Sequence, residues 1–169
     1  LRRRDATVWD VEEFEQILYP QVCKMAAINR SEDDIQKLKN LMDSYIQILQ
    51  EAAGYQEMIG SFRKMMRLIF KAAGNKVLEQ LAMPLLESRS LREWEDEPGF
   101  EQKDLADLEA KLIQPLVDAI ENKQPEKAAE AVQRLLWLPE EAKEVMKHTA
   151  VGEIPRIPLK LGQLVRGLE

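Results

Sequence analysis

The chain has one cysteine, Cys23, and one histidine, His148, among 169 residues. A lone cysteine excludes an internal disulfide, and its place in an apolar helix face reads as a buried thiol, which suits a reducing cytosol. A lone histidine outside the expected core excludes a histidine-rich metal site, a Ser-His-Asp triad or a Cys-His pair built within one chain. The seven glycines form no GxxxxGK or GxGxxG loop, so no phosphate cradle is encoded. No apolar run approaches the ~18 residues of a membrane span, and the opening LRRRDATVWD has basic residues without an apolar segment behind them. Positive charge is also in deficit. Lys and Arg total 24 against 30 Asp and Glu, a net charge of −6, the wrong sign for a surface that neutralises phosphates. The many carboxylates are expected on solvated helix faces and in the 93–104 loop, and no enzyme chemistry is expected of them.

What is present is helix. The 45% hydrophobic and 32% charged content is that of an ordinary globular domain with room for one sizeable core. From Val11 to Ile28 the residues Val11, Phe14, Ile17, Leu18, Val22, Met25 and Ala26 recur at helical spacing and predict one buried face, with a kink at Pro20. Ser31, three residues before Asp34, opens a second helix with Ile35, Leu38, Met42, Tyr45 and Leu49 on one side. Tyr55–Ala73 and Lys76 to about Trp94 predict a third and fourth, the latter carrying Pro84. The run WEDEPGFEQKD, 94–104, is the mid-chain loop. Leu105–Ile120 and Glu126 to about Trp137 follow, separated by 122–125. The expected fold class is all-α, an antiparallel bundle of six to seven helices with no strand. Beyond Thr149 the segment VGEIPRIPLKLGQLVRGLE turns basic and proline-broken. It reads either as a loose terminus or as an arm that anchors on a partner subunit through Ile154, Ile157, Leu159, Leu161 and Leu164.

The helix-to-helix corner FRKMMRLIFKAAGNKVLEQL, residues 62–81, turns at Gly74-Asn75, the two residue types that most readily close a helix in the left-handed conformation. Together with LYP at 18–20, Pro115, DAI at 118–120, the turn with Lys123 and Gln124, and the Ala-rich PEKAAEAVQRLL, this corner resembles the effector-binding (FCD, FadR C-terminal-like) domain of GntR-type transcription regulators. The resemblance runs from about Val11 to Trp137. It implies 1–10 as a linker from a DNA-binding module absent from the chain, 11–138 as an effector-binding and dimerisation domain, and 139–169 as a C-terminal helix and extended arm. It further implies a homodimer, a small-molecule effector, DNA contact only through a winged helix-turn-helix, and a cytoplasmic location.

Many members of that family hold a divalent metal through an Asp and three His. Carried over by motif, those positions fall on Phe62, Met66, Ile113 and Leu135. None offers an N or O donor, so the resemblance implies a scaffold kept and a metal, and hence a cofactor, lost. The first-helix arginine that often anchors a carboxylate effector is also missing, with Glu15 and Gln16 in its region. An apolar or acyl-type effector remains compatible, lined by the same four residues and by Met58, Met65 and Met83. Its head group would be met by Ser61, Arg63, Arg67, Arg89 or Arg134. The competing readings are plain filled core at these positions, an α-helical protein-interaction module without ligand, and a helical enzyme or lipid carrier, for which no polar cluster is visible.

Overall fold

The computed structural model describes residues 6–51, 55–88, 93–95 and 102–160. Arg89 and the loop residues 96–101 lie outside these, as do Leu161 and Leu164. The elements in chain order are α1 (Val8–Asn29), α2 (Glu32–Gln50), α3 (Tyr55–Ala72), α4 (Lys76–Ser88), β1 (Glu93–Glu95), α5 (Gln102–Glu121), α6 (Pro125–Leu135), α7 (Glu140–Lys147) and β2 (Arg156–Lys160). The all-α bundle expected from the periodicity is present.

Capping residues place the helix starts. Thr7 caps α1 through its side chain, which accepts from the Asp10 backbone N–H, while the Asp10 carboxylate accepts from the Thr7 N–H at 2.7 Å. That backbone N–H, joined by the Thr7 hydroxyl, holds the Asp10 carboxyl below the usual carboxylate range. The helix therefore begins at Val8, before the first residue of the apolar pattern. Ser31 and Asp34 form the same reciprocal pair at the start of α2. α1 continues across Pro20.

The corner after α3 works differently at its two residues. Gly74 takes φ +75°, the left-handed conformation that closes the helix. Asn75 does not share it; its side-chain oxygen instead accepts from the backbone N–H groups of Val77 and Leu78, both at 3.1 Å, and so caps α4. The end of α1 secures the corner, as Asn29 donates from its side-chain amide to the Ala73 carbonyl at 2.8 Å.

Packing sets the architecture. α1 and α2 each lie against both α3 and α5, so the four form a ring with α3 and α5 facing across its centre. α6 fits between α1 and α5, and α4 lies on α3. One contiguous apolar cluster fills the ring, with Tyr19, Tyr45, Leu49, Met66, Phe70, Ile113, Leu116 and Val132 among its buried members. At the α2–α5 junction the buried Arg30 donates from Nε to the Ile120 carbonyl at 3.3 Å and from Nη2 to the Glu121 carbonyl, and it pairs with Glu32 through Nη1. A fixed cation thus meets the carbonyl-rich end of α5, where the helix dipole favours it.

Three details differ from the sequence reading. α1 buries Val8, Glu12, Glu15, Tyr19, Val22, Cys23, Ala26 and Ala27, while Phe14 and Ile17 point outward at 42% and 69% exposure. The observed face is rotated from the expected one because two glutamates belong to it, which a pattern of apolar residues alone does not include. α4 stops at Ser88, and Trp94 belongs to a strand, not to a helix end. Finally, the arm does not hang free: β2 pairs in parallel with β1 of the same chain, Glu93 opposite Arg156 and Trp94 opposite Ile157. The register slips before Glu95 meets Lys160, where Pro158 has no N–H to give.

Candidate functional site

Phe62 and Met66 stand one helical turn apart on α3, a spacing that puts both on the same face. Both are buried in the central cluster. Ile113, on α5 across the ring, is buried in the same cluster, whereas Leu135, in the last turn of α6, is only half-buried and packs against its edge. Three of the four positions are thus brought together at the centre and the fourth lies at the margin. The donor chemistry of the set does not suit a divalent cation: a phenyl ring, a thioether and two alkyl groups leave no anionic or imidazole ligand. Among the described residues, no three His, Cys, Asp or Glu side chains converge in a way that could hold a metal ion.

The basic residues expected to hold a head group are spread around the outside. Arg67 is exposed and pairs with Glu87 at 2.9 Å. The half-buried Arg63 donates to the Glu87 backbone carbonyl at 3.1 Å. Arg134 is exposed on α6, and Ser61 is half-buried. Met65 is buried and Met83 half-buried beside the cluster, while the side chain of Met58 lies outside the described residues. Cys23 is fully buried, and burial pushes its thiol far above the usual range, so no nucleophilic thiolate is offered.

Sequence reasoning missed the polar part of the interior. Glu12 and Glu15 are 1% and 0% exposed, although the sequence predicts carboxylates on solvated faces. The Tyr19 hydroxyl donates to Glu15 Oε1 at 2.8 Å, and the Tyr19 ring meets Phe70 of α3 edge-on at 5.7 Å between centroids. A signal existed: Val8, Glu12, Glu15, Tyr19, Val22 and Ala26 alternate steps of four and three, an unbroken helical stripe once the two glutamates are admitted to it. Two carboxyl side chains are thus part of the packed inner face of α1. Elsewhere, a crevice by Arg30, Asp34, Ile35, Leu68 and Ile120 is too narrow for a water molecule.

The order of these parts, with the Gly74-Asn75 corner, the α5 end at DAI and the Ala-rich α6, is matched by the model of the FCD domain over residues 10–137. The chain belongs to the FCD domain family. That membership agrees with the resemblance to the effector-binding domain of GntR-type transcription regulators. Among solved structures, Streptococcus agalactiae GntR is similar at a TM-score of 0.61 and 16% identity, a likeness in fold. The alignment covers 76% of this chain and 55% of that one, so the present chain corresponds to about half of the longer protein. No curated sequence is similar enough to count as a relative. The FCD match ends at residue 137, so α7 and β2 lie beyond it. Within the described residues, no helix is long and apolar enough to cross a membrane.

Proposed function

We propose that this FCD domain senses an apolar or acyl-type effector without a metal ion, as the ligand-binding and dimerisation half of a cytoplasmic GntR-type regulator that would grip DNA through a separate winged helix-turn-helix. One observation carries the proposal: where the family resemblance places metal donors, Phe62, Met66 and Ile113 are buried apolar side chains and Leu135 is a half-buried one. The effector would enter the ring beside these residues. Met42, Met65 and Met66 are buried there, and unbranched thioethers can be displaced with little strain. Covering roughly 300 Å² of apolar surface at roughly 25 cal/mol per Å² is worth about 7.5 kcal/mol, enough for binding near the micromolar range. Any charged end would stay at the rim near Arg63 and Arg67.

The dimer reading is supported by apolar side chains that the monomer leaves outside. Phe14 and Ile17 on α1 are joined by Val77 and Leu81 on α4, the latter two 64% and 66% exposed. Such residues suit a two-fold interface. In sedimentation equilibrium at micromolar concentration the chain is expected to run as twice its 19.5 kDa mass, with Ile17→Asp and Leu81→Asp shifting it toward monomer. A parent protein found only as monomer would remove this part of the reading.

A second reading, an interaction module without ligand, is favoured by the filled centre of the ring. Native mass spectrometry separates the two. The sensing reading expects a dimer that retains a fatty acid or related apolar molecule, or takes up an added acyl ligand, with well under one equivalent of Zn²⁺ or Mn²⁺ per chain after dialysis. Stoichiometric metal would overturn it. A ligand-free species that ignores a panel of acyl and aromatic compounds would favour the interaction module.

A further inference from the structure

We propose that α7 and β2 form a clasp tying the entry of α1 to the connection between α4 and α5, so that a change at one is felt at the other. The clasp has two ends. At the first, residues 6–8 run antiparallel to 149–151: the Val8 N–H donates to the Thr149 carbonyl at 2.8 Å, the Val151 N–H to the Ala6 carbonyl at 2.9 Å, and Thr7 faces Ala150 in a β-bridge. At the second, β2 pairs with β1, which lies on the chain path between α4 and α5.

A small core joins the two ends. Val8 of α1, Leu138, Ala142 and Met146 in and before α7, and Ile157 of β2 are all buried in one cluster separate from that of the ring, with Trp9 packed against it. The Lys143 ammonium lies 5.9 Å from the Trp9 ring centroid, closing the outer side. Among the described residues five buried side chains from distant parts of the chain make up this cluster, and so small a cluster stays ordered only while all its parts are in place. Ile157 sits in that core and also stands opposite Trp94 in the strand pair. Releasing β1 therefore loosens the seat of Val8.

The proposal rests on the effector-domain reading for its purpose. The residues before α1 are where a preceding DNA-binding module would join, and α5 carries Ile113 at the ring's centre. A ligand that shifts α4 or α5 would thus reach the α1 entry through the clasp, a physical route between two sites and not mere proximity. Its existence can be tested without any ligand, so failure of the effector reading and failure of the clasp are separable.

The test is amide hydrogen exchange on the full chain. Trp94→Pro removes a strand N–H and should break the β1–β2 pair. The expected result is a loss of protection of about tenfold or more at the Val8 and Val151 amides, with Met66 and Ile113 unchanged. Val151→Pro, at the other end, should in turn speed exchange along 156–160 by a similar factor. If Trp94→Pro affects only 93–95 and 156–160, the two ends are independent and the proposal fails. If it strips protection from Met66 and Ile113 as well, the strands belong to the bundle's own stability, and the clasp is again overturned.

Discussion

Met66→Glu and Ile113→Lys are expected to abolish the cooperative unfolding transition at 25 °C. Both native side chains are 0% exposed within the central cluster. A charge placed there loses its water and finds no designed partner, at an effective cost of several kcal/mol. Total stability for a domain of this kind is roughly 5–15 kcal/mol, so such a cost consumes most of it. Circular dichroism during thermal or urea unfolding is the measurement, with Met66→Leu as the volume-conserving control, expected to change stability by less than about 1.5 kcal/mol. Should either charged variant stay folded and lose only its affinity for an apolar ligand or dye, these residues line a pocket open enough to hydrate a charge. Variants that fold and bind as the parent does would mean that neither side chain belongs to core or site.

The second large effect is expected at Arg30. Its side chain is 7% exposed and reaches the carbonyls of Ile120 and Glu121 at the end of α5 as well as the Glu32 carboxylate. Arg30→Ala leaves those carbonyls without their charged donor and opens a gap between the start of α2 and the end of α5. Hydrogen bonds to charged groups are worth about 1.5–3 kcal/mol, and orphaned acceptors add to the loss. A destabilisation of about 3 kcal/mol is expected, or about 10 °C at 2–4 °C per kcal/mol for a chain of this size. Arg30→Lys should recover only part of it, because one ammonium cannot span two carbonyls and a carboxylate as the guanidinium fork does. Arg67→Ala, by contrast, removes an exposed pair with Glu87 and should cost less than about 1 kcal/mol. Equal losses at Arg30 and Arg67 would refute the assignment of Arg30 as the α2–α5 fastener.

The helices and their order were legible because their apolar residues keep a 3.6-residue period and because Ser31, Gly74 and Asn75 punctuate them with chemistry suited to caps. The carried-over positions were legible too, as far as placing Phe62, Met66 and Ile113 in one interior. Legibility failed where a residue acts against its type. Glu12 and Glu15 are inside, and Phe14 and Ile17 outside, so a count of apolar residues turned the first half of α1 the wrong way. Arg30, coming just after the end of α1, looks like any surface arginine until α5 is folded against it. The strand pair was invisible for another reason. β1 is three residues long, too short for a period, and its partner lies more than sixty residues on, in a segment whose prolines argue against strand.

Those same prolines have a protective consequence. Among the described residues the sheet has two strands, and an unpaired strand edge is a template for strands of other molecules. β2 runs Arg156-Ile157-Pro158-Leu159-Lys160, with Pro155 immediately before it. Neither proline has an N–H, and standing three residues apart they face opposite sides of the segment, so each side lacks one donor. The irregular register against Glu93–Glu95 uses up part of what remains. The arm can thus pair briefly within its own chain while offering a poor seam for growth into a larger sheet.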